Sequence, residues 1–325
     1  MSRPRIAVTG RIPEPGLVML REAGDVSAWD SAEVPSVDQV HDMVRGADAV
    51  VTLLTTKVDD ALLDAAGPQL KVVANVAVGY NNIDVAACAR RGITATNTPG
   101  VLTEATADIA MALVLMTTRR LGEGERVIRS GTPWQWGMFY MLGTGIQGQQ
   151  LGIIGMGDIG QALARRARAF GMTIAYANRK PVEASIEAEL GAVFMSQDEL
   201  LASSDVVSLN CPYSPATHHL IGAAELGRMK RSAHLVNTAR GPIVDEAALV
   251  DALRTGTIAG AGLDVFEHEP TVHPGLLECE QAVLIPHLGS ATIETRSAMA
   301  TLAARNVAAV LGGTTPPTPI PVPSA

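Results

Sequence analysis

Four side chains able to bind an acid or move a proton follow strand-like apolar runs in the second half of the chain. Arg240 follows one run, and His287 follows another. Glu267 and Glu269 come after the run between them. In doubly wound sheets, ligands bind outside the carboxyl ends of the strands, so we expect these side chains at one edge of one sheet. An arginine, a carboxylate and a histidine are the groups needed to reduce a 2-oxo acid.

Each group has its own expected part in such a reduction. Arg240 would bind the substrate carboxylate through its forked guanidinium and polarise the carbonyl. His287 would donate a proton to the carbonyl oxygen, because an imidazole titrates near neutral pH. A carboxylate would orient the ring and stabilise the imidazolium. Spacing alone leaves both Glu267 and Glu269 open for that part.

A glycine pattern earlier in the chain predicts a dinucleotide site. The sequence Gly155-Met156-Gly157-Asp158-Ile159-Gly160 follows an apolar run and opens a helix-forming segment, which is the context that a GxGxxG fingerprint requires. Gly155 would permit the tight turn, and Gly157 would let the backbone approach a pyrophosphate. Gly160 would let the helix pack closely on the strand. The helix N-terminus then offers N–H groups to the phosphates.

The strand after the fingerprint predicts which dinucleotide is preferred. NAD sites usually end this strand with Asp or Glu, which binds the ribose 2′-hydroxyl. Here the strand runs into Asn178-Arg179-Lys180 and carries no carboxylate. Arg179 and Lys180 would instead bind a 2′-phosphate. We therefore expect NADP(H) to be preferred and NAD(H) to be possible, the alternative being a solvated basic turn before Pro181.

Apolar runs alternate with helix-like segments, which predicts βα units and parallel sheets. The first third has four strand candidates, at 5–9, 49–54, 71–78 and 93–97. The later series has six, the number in a dinucleotide-binding domain, at 151–154, 173–177, 205–209, 234–237, 258–264 and 282–285. Two long helices that cross between domains are expected at 103–130 and 291–311. Five prolines among residues 316–323 predict an extended, poorly ordered tail.

Composition excludes several classes of protein. The 325 residues favour two domains, and 47% hydrophobic residues exclude intrinsic disorder. The net charge of -8 argues against nucleic-acid binding, and no apolar run is long enough to span a membrane. Three widely spaced cysteines predict neither a disulfide framework nor a metal site. With no signal peptide at the start, the cytoplasm is the expected compartment.

The sequence resembles the D-isomer-specific 2-hydroxyacid dehydrogenases over residues 5–311. The segments that carry this resemblance are 151–160, 235–246 (LVNTARGPIVDE), 262–270 (GLDVFEHEP) and 286–292 (PHLGSAT). Residues 78–84 and 102–108 are similar to the glyoxylate/hydroxypyruvate reductases of that family, and the basic turn is similar to that of its NADP(H)-preferring members. The resemblance implies that Arg240, Glu269 and His287 are catalytic, which selects Glu269 over Glu267.

The resemblance also implies the remaining contacts. Residues expected at the cofactor are Thr106, Gly155, Met156, Gly157, Asp158, Ile159, Asn178, Arg179, Lys180, Cys211, Pro212, Thr217, Thr238, Ala239, Arg240, Asp264, His287 and Gly289. Residues expected at the substrate are Leu54, Val78, Gly79, Arg240, His287 and Ser290. Among these, Val78 and Gly79 would offer main-chain N–H groups to the substrate carboxylate.

The architecture implied by the resemblance is α/β, with two doubly wound domains. A Rossmann cofactor domain at 101–289 would be inserted into a flavodoxin-like substrate domain made of 1–100 and 290–325. A homodimer is also implied. The aromatic-rich stretch 134–140 suits a subunit contact, and we expect Phe139 or Tyr140 to reach the neighbouring active site.

The expected function is NADPH-preferring reduction of small 2-oxo acids, glyoxylate and hydroxypyruvate. One alternative is a larger substrate such as hydroxyphenylpyruvate or 3-phosphoglycerate. A more remote alternative is a dinucleotide-sensing, corepressor-like binding protein. Phosphite dehydrogenases carry a lysine where this chain has Ala77-Val78-Gly79, and formate dehydrogenases carry a glutamine in place of Glu269, so both are disfavoured.

Overall fold

The structure is a computed structural model, and it describes residues 3–322. The strands in this range are β1 (Arg5–Val8), β2 (Asp25–Ala28), β3 (Ala49–Thr52), β4 (Val72–Asn75), β5 (Thr94–Thr96), β6 (Gln150–Ile154), β7 (Thr173–Ala177), β8 (Ala192–Phe194), β9 (Val206–Leu209), β10 (His234–Asn237), β11 (Gly260–Leu263) and β12 (Ala282–Leu284). The helices are α1 (Glu14–Ala23), α2 (Val37–Val44), α3 (Asp60–Ala66), α4 (Val85–Arg90), α5 (Thr103–Thr118), α6 (Leu121–Arg129), α7 (Asp158–Ala169), α8 (Ala184–Leu190), α9 (Gln197–Ser203), α10 (Ala223–Arg228), α11 (Glu246–Arg254), α12 (Pro274–Leu277) and α13 (Ile293–Leu311).

The first of two compact units combines the described residues up to Leu102 with those from Ala291 onward. Its sheet is parallel, with the strand order β2-β1-β3-β4-β5. Helices α1 and α13 cover one face, and they approach closely because Gly16 lies directly against Ala300. The last long helix of the chain therefore completes the core of the first unit.

The second unit, Thr103–Ser290, is built on a parallel sheet with the order β12-β11-β10-β9-β6-β7-β8. The chain starts at β6, runs outward to β8, and returns to β9 on the other side. Strand order therefore reverses between β6 and β9, which is where doubly wound sheets bind ligands. Apolar clusters cover both faces of the sheet. The predicted fold class, two parallel α/β units, is confirmed.

Two edge strands were missing from the prediction. β2 and β8 were not expected, so the second sheet has seven strands in the described part of the chain instead of six. Most residues of both strands are exposed, and β8 is only three residues long. Short edge strands lack the continuous apolar run that marks a buried parallel strand.

The prediction of one helix over 103–130 was wrong. Instead, one helix, α5, ends at Thr118, and a second helix, α6, begins at Leu121. Both helices belong to the second unit. The break lies at Arg120, whose φ is 54° and whose guanidinium pairs with Glu123 at 2.6 Å. At the end of α5, the hydroxyls of Thr117 and Thr118 bond back to helix carbonyls, which favours a helix end.

The proline-rich tail was also predicted incorrectly, since it is extended but packed. Ile320 is 5% exposed, and its N–H donates to the carbonyl of Ala95 at 2.8 Å. Thr318 bonds to Asn306 and to the carbonyl of Asn97. The buried Ile320 side chain and these hydrogen bonds together attach the segment to β5 and its surroundings. Pro323 and the first two residues lie outside the described range.

Within residues 3–322, no helix is both long enough and apolar enough to cross a membrane.

Candidate active site

A histidine–glutamate pair lies beyond the carboxyl ends of β11 and β12. His287 Nδ1 and Glu269 Oε2 are 2.8 Å apart. The other oxygen of Glu269 accepts the N–H of Phe266 at 3.0 Å. Burial opposes ionisation of Glu269, but the hydrogen bond to His287 and the charges of His287 and Arg240 outweigh it and lower the pKa of this carboxyl. The carboxylate is thus held ionised against the ring.

Asp264 anchors the segment that carries His287. Its two carboxylate oxygens accept the N–H groups of Leu288 at 2.5 Å and Gly289 at 2.8 Å. Its carbonyl accepts the N–H of His287 at 2.8 Å, and His287 adopts a left-handed φ of 52°. Burial raises the pKa of Asp264, and the two N–H donors oppose that rise. Each oxygen keeps a second lone pair, so the predicted contact with a cofactor amide remains open.

Arg240 stands at the end of the neighbouring strand, β10. Asn237 braces this turn, because its side-chain oxygen accepts the N–H of Ala239 at 3.0 Å and its nitrogen donates to the Arg240 carbonyl at 2.9 Å. A Cβ on Gly241 would lie 1.9 Å from the carbonyl carbon of Phe266, so the arginine turn presses directly on the glutamate loop. Burial lowers the pKa of Arg240, and Glu269 opposes that shift.

Glu267, the other candidate from spacing, faces a different histidine. Its Oε1 lies 2.6 Å from Nε2 of His219. Glu269 alone of the two bonds to His287 among the described residues. The geometry therefore agrees with the choice made from the family resemblance.

The three fingerprint glycines occupy three different environments. Gly155 has a φ of 101°, and a Cβ there would be 2.5 Å from the main-chain nitrogen of Cys211. A Cβ on Gly160 would be 2.4 Å from the carbonyl oxygen of Gly155. At Gly157 the Cβ position has no atom within 4 Å, which leaves the N-terminus of α7 open to a phosphate.

Two buried polar atoms near this cradle have no hydrogen-bond partner in the structure. They are Oγ1 of Thr238 and Oδ1 of Asn210, next to the ends of β10 and β9. An unpaired buried polar atom costs about 1–3 kcal/mol, so a ligand with polar groups fits here. Thr238 was predicted, whereas Asn210 was missed. Its only signal in the sequence is a polar residue just after an apolar strand.

The basic turn after β7 is anchored at both ends. Asn178 Oδ1 accepts the N–H of Met156 at 2.8 Å, a contact that the sequence did not reveal. The Tyr176 hydroxyl accepts the N–H of Val182 at 2.9 Å. Between these anchors, Arg179 and Lys180 are exposed, and neither makes an ion pair or hydrogen bond within residues 3–322. Two unpaired cations on a fixed turn suit a phosphate.

The remaining predicted cofactor residues surround the same strand ends. The Thr106 hydroxyl donates to the Gly289 carbonyl at 3.2 Å, and the Thr217 hydroxyl donates to the Pro212 carbonyl at 2.9 Å. Burial raises the pKa of the Cys211 thiol to about 11, so it stays protonated near neutral pH and is a weak nucleophile. Among the described residues, no group of three His, Cys, Asp or Glu side chains forms a metal site.

Leu54, Val78 and Gly79 belong to the first unit. Asn75 is fully buried and donates to the Gly79 carbonyl at 3.0 Å, while Asn97 donates to the Val78 carbonyl at 2.8 Å. The N–H groups of Val78 and Gly79 make no hydrogen bond in the described part of the chain. Two asparagine side chains thus hold two adjacent carbonyls and leave the matching donors available. Ser290, the last predicted substrate residue, ends the second unit.

Comparison with known proteins places this geometry among dehydrogenases. Residues 111–289 match the family model for the NAD binding domain of D-isomer specific 2-hydroxyacid dehydrogenases. A glyoxylate reductase of Thermococcus onnurineus is 48% identical over 321 residues, covering 97% of this chain and 95% of its own. A glyoxylate reductase of Aeropyrum pernix is 47% identical, covering 98% and 96%.

Solved structures resemble the whole chain. The crystal structure of a glyoxylate reductase from Paecilomyes thermophila superposes with a TM-score of 0.89 at 36% identity, covering 99% of both chains. An NADPH-dependent glyoxylate/hydroxypyruvate reductase from Sinorhizobium meliloti, crystallised with NADP and malonate, gives 0.84 at 37% identity, covering 98% of this chain and 97% of its own.

Proposed function

The chain belongs to the D-isomer specific 2-hydroxyacid dehydrogenases, a family of NAD(P)-dependent oxidoreductases, and from that premise we propose that it reduces small 2-oxo acids, glyoxylate and hydroxypyruvate, with a preference for NADPH. The observation that carries the proposal is the His287–Glu269 pair at 2.8 Å beside Arg240. The relatives named as glyoxylate reductases support the size of the substrate. Three free cysteines suit a reducing cytoplasm, where we place the enzyme.

In this proposal His287 is the proton donor. Glu269 occupies Nδ1 of the ring, so Nε2 is the nitrogen that protonates the carbonyl oxygen of the substrate. When bound, the reduced nicotinamide supplies the hydride to the carbonyl carbon. The C=O double bond becomes a C–OH group, and the ring regains its proton from solvent. Glu269 stabilises the imidazolium before transfer and keeps the ring oriented after it.

Arg240 is assigned to binding the substrate and takes no part in the proton transfer. Its forked guanidinium binds a carboxylate with two parallel hydrogen bonds and withdraws electron density from the adjacent carbonyl. Ser290 is assigned to the substrate as well. For the first unit, considered by itself, we propose that the unpaired N–H groups of Val78 and Gly79 are anion donors and that Leu54 is an apolar substrate contact.

The dinucleotide is assigned to the second unit. The main chain at Gly155–Ile159 would hold the pyrophosphate, and Asn178, Arg179 and Lys180 would hold the ribose 2′-phosphate. The dinucleotide would supply hydrogen-bond partners to the unpaired side-chain oxygens of Asn210 and Thr238. The other residues assigned to the cofactor are Thr106, Cys211, Pro212, Thr217, Ala239, Asp264 and Gly289.

The activity is tested by following absorbance at 340 nm with glyoxylate, hydroxypyruvate and hydroxyphenylpyruvate, each with NADPH and with NADH. We expect fast oxidation of NADPH with the two small acids. Activity with the aromatic acid alone would keep the mechanism and overturn the substrate. No turnover with any acid, by protein shown to bind NADPH, would contradict the proposal.

The cofactor preference is tested by neutralising the basic turn, Arg179→Gln with Lys180→Gln. The loss of even one charge-assisted contact weakens phosphate binding by about 1.5–3 kcal/mol, so KM for NADPH should rise at least about tenfold. KM for NADH, which lacks the 2′-phosphate, should stay within about twofold. The control is Arg228→Gln with Arg231→Gln, which removes two exposed charges elsewhere in the same unit. An equal effect on both cofactors would refute the assignment.

We also propose a homodimer. In a chain with only 3% aromatic residues, Trp136 is 78% exposed and Phe139 is 88% exposed. Aromatic side chains of this size are usually covered, and a second copy would cover them with Phe139 or Tyr140 reaching its active site. Analytical ultracentrifugation should give twice the chain mass of 33.9 kDa. A monomer at micromolar concentration would contradict this assembly.

A further inference from the structure

Glu246 is a buried carboxylate to which the proposed reaction gives no part. It is the first residue of α11 and is only 3% exposed. The helix does not need it as a cap, because the adjacent Asp245 accepts the N–H of Ala248 at 3.0 Å. Burying a carboxylate costs desolvation free energy, so we expect Glu246 to have a hydrogen-bond partner. That partner is the N–H of Glu267, which Glu246 Oε1 accepts at 2.8 Å.

The groups around Glu246 act on the pKa of its carboxyl in opposite directions. Burial raises the pKa of this carboxyl, and the nearby charge of Glu267 raises it further. The N–H of Glu267 and the side chains of His273 and His268 act in the opposite direction. The hydrogen bond to the loop is thus one of the few interactions that favour the ionised form here.

The loop after β11 is held through two consecutive N–H groups. The N–H of Phe266 donates to Glu269, and the N–H of Glu267 donates to Glu246. The side chain of Glu267 is held too, by His219 at 2.6 Å. Gly241 packs directly against the peptide between Phe266 and Glu267. The two peptide units that carry these N–H groups share the Cα of Phe266, so a displacement of the Glu267 N–H would also shift the N–H that orients Glu269.

We propose that Glu246 is a positioning residue, which holds the N–H of Glu267 and thereby fixes the loop that presents Glu269 to His287. This inference rests on the proposed function, in which Glu269 and His287 form the proton-donating pair. Glu246 itself touches neither residue of that pair in the contacts of the described chain.

Two mild substitutions separate a positioning role from a role of charge. Glu246→Gln keeps an oxygen at the same place and loses the charge, whereas Glu246→Asp keeps the charge and withdraws the oxygen by about 1.5 Å. A hydrogen bond to a charged group is worth enough that the Asp variant should lose about tenfold in kcat with glyoxylate. The Gln variant should stay within about threefold of the wild type. In both variants KM for NADPH should be unchanged within about twofold.

The opposite order, with Asp more active than Gln, would overturn the proposal, because it would mean that the charge matters and the oxygen position does not. A cycle with Glu269→Gln adds a second criterion. If Glu246 acts through Glu269, then Glu246→Asp should cause no further loss in the Glu269→Gln background. A full tenfold loss there would equally contradict it.

The matched control is Glu225→Asp. Glu225 also accepts a main-chain N–H, that of Gly222 at 3.2 Å, in the first turn of α10, and within residues 3–322 it makes no hydrogen bond or ion pair with the loop after β11. Its substitution should leave kcat unchanged. A crystal structure of the Glu246→Asp variant gives a readout independent of turnover, in which the distance from His287 Nδ1 to Glu269 Oε2 should exceed 3.5 Å. Absence of wild-type turnover would instead fault the proposed function.

Discussion

Two glutamates in one loop, Glu267 and Glu269, bind different histidines. Glu269 binds His287, and Glu267 binds His219. The backbone turns between the two glutamates, so their carboxylates reach different imidazole rings. At the scale of single residues, the proposed chemistry therefore rests on which glutamate and histidine side chains the loops bring into contact.

Replacing Arg240 with alanine should weaken substrate binding and turnover together. In the proposed role, the guanidinium contacts the substrate carboxylate in both the ground state and the transition state, so kcat/KM for glyoxylate should fall at least about a hundredfold. Arg240→Lys keeps the positive charge but loses the forked guanidinium, so its kcat/KM should lie between those of the wild type and Arg240→Ala. Steady-state kinetics at fixed NADPH measures the effect, and unchanged kinetics would rule out a carboxylate-binding role.

Replacing His287 with alanine should abolish reduction while NADPH still binds. The variant loses the proposed proton donor but keeps the glycine turn and the basic turn to which we assign the dinucleotide. NADPH fluorescence titration measures binding, and absorbance at 340 nm measures turnover. His41→Ala, on α2 of the other unit, is the control and should behave as wild type. Loss of both binding and turnover in His287→Ala would show that the ring is structural.

At the scale of elements, the site depends on turns between strands and helices that allow close backbone contact. Gly155 needs its left-handed φ of 101° to pass Cys211, and Gly241 lies where any side chain would meet Phe266. Neither demand comes from the helix or strand that the glycine adjoins. Each comes from a second segment that packs against the turn.

Gly241→Ala should therefore separate the Arg240 turn from the Glu269 loop. Its Cβ would lie 1.9 Å from a main-chain carbon, so the backbone must move and stability should fall by about 1–3 kcal/mol. Activity should fall in the protein that remains folded. The control is Gly227→Ala inside α10, where the Cβ position meets no atom within 4 Å and stability should rise slightly. Urea denaturation compares them, and equal midpoints would contradict the packing argument.

At the scale of the whole molecule, each unit buries its parallel sheet between helices, and one buried histidine makes the second unit sensitive to acid. His234, the first residue of β10, is 7% exposed, and burial lowers its pKa to about 4. The imidazole therefore stays neutral in the folded protein at a pH where the unfolded chain, with an ordinary histidine, already binds a proton. Stability from this residue is complete above pH ~6.5 and is lost as the pH falls toward ~4.

The size of this loss follows from the shift in pKa, from 6.5 to about 4, which corresponds to about 3 kcal/mol in total. In the variant His234→Gln this contribution is absent, so its free energy of unfolding should depend less steeply on pH across that interval. Urea denaturation at pH 7.0 and pH 4.5 measures the difference between the two proteins. Parallel pH profiles for wild type and variant would contradict the assignment.

Local rules were sufficient to predict the fold class and most strands, whereas many residues of the candidate site came from the family resemblance. Gly155, Gly157 and Gly160 could be assigned from the sequence because a strand, a tight turn and a helix are adjacent along the chain. Arg240 and His287 could be placed at one sheet edge because parallel strands share a carboxyl end. Glu269 needed the family resemblance, since spacing did not separate it from Glu267.

What the tertiary structure alone decided are contacts between segments distant in sequence. The bond from Glu246 to Glu267 and the attachment of Ile320 to β5 join residues with no shared local pattern. The burial of the unpaired Asn210 oxygen likewise depends on the folded chain. The break between α5 and α6 and the short edge strands β2 and β8 also escaped the sequence. Periodicity and turn chemistry report the backbone over a few residues, whereas these features depend on which surfaces meet after the chain has folded.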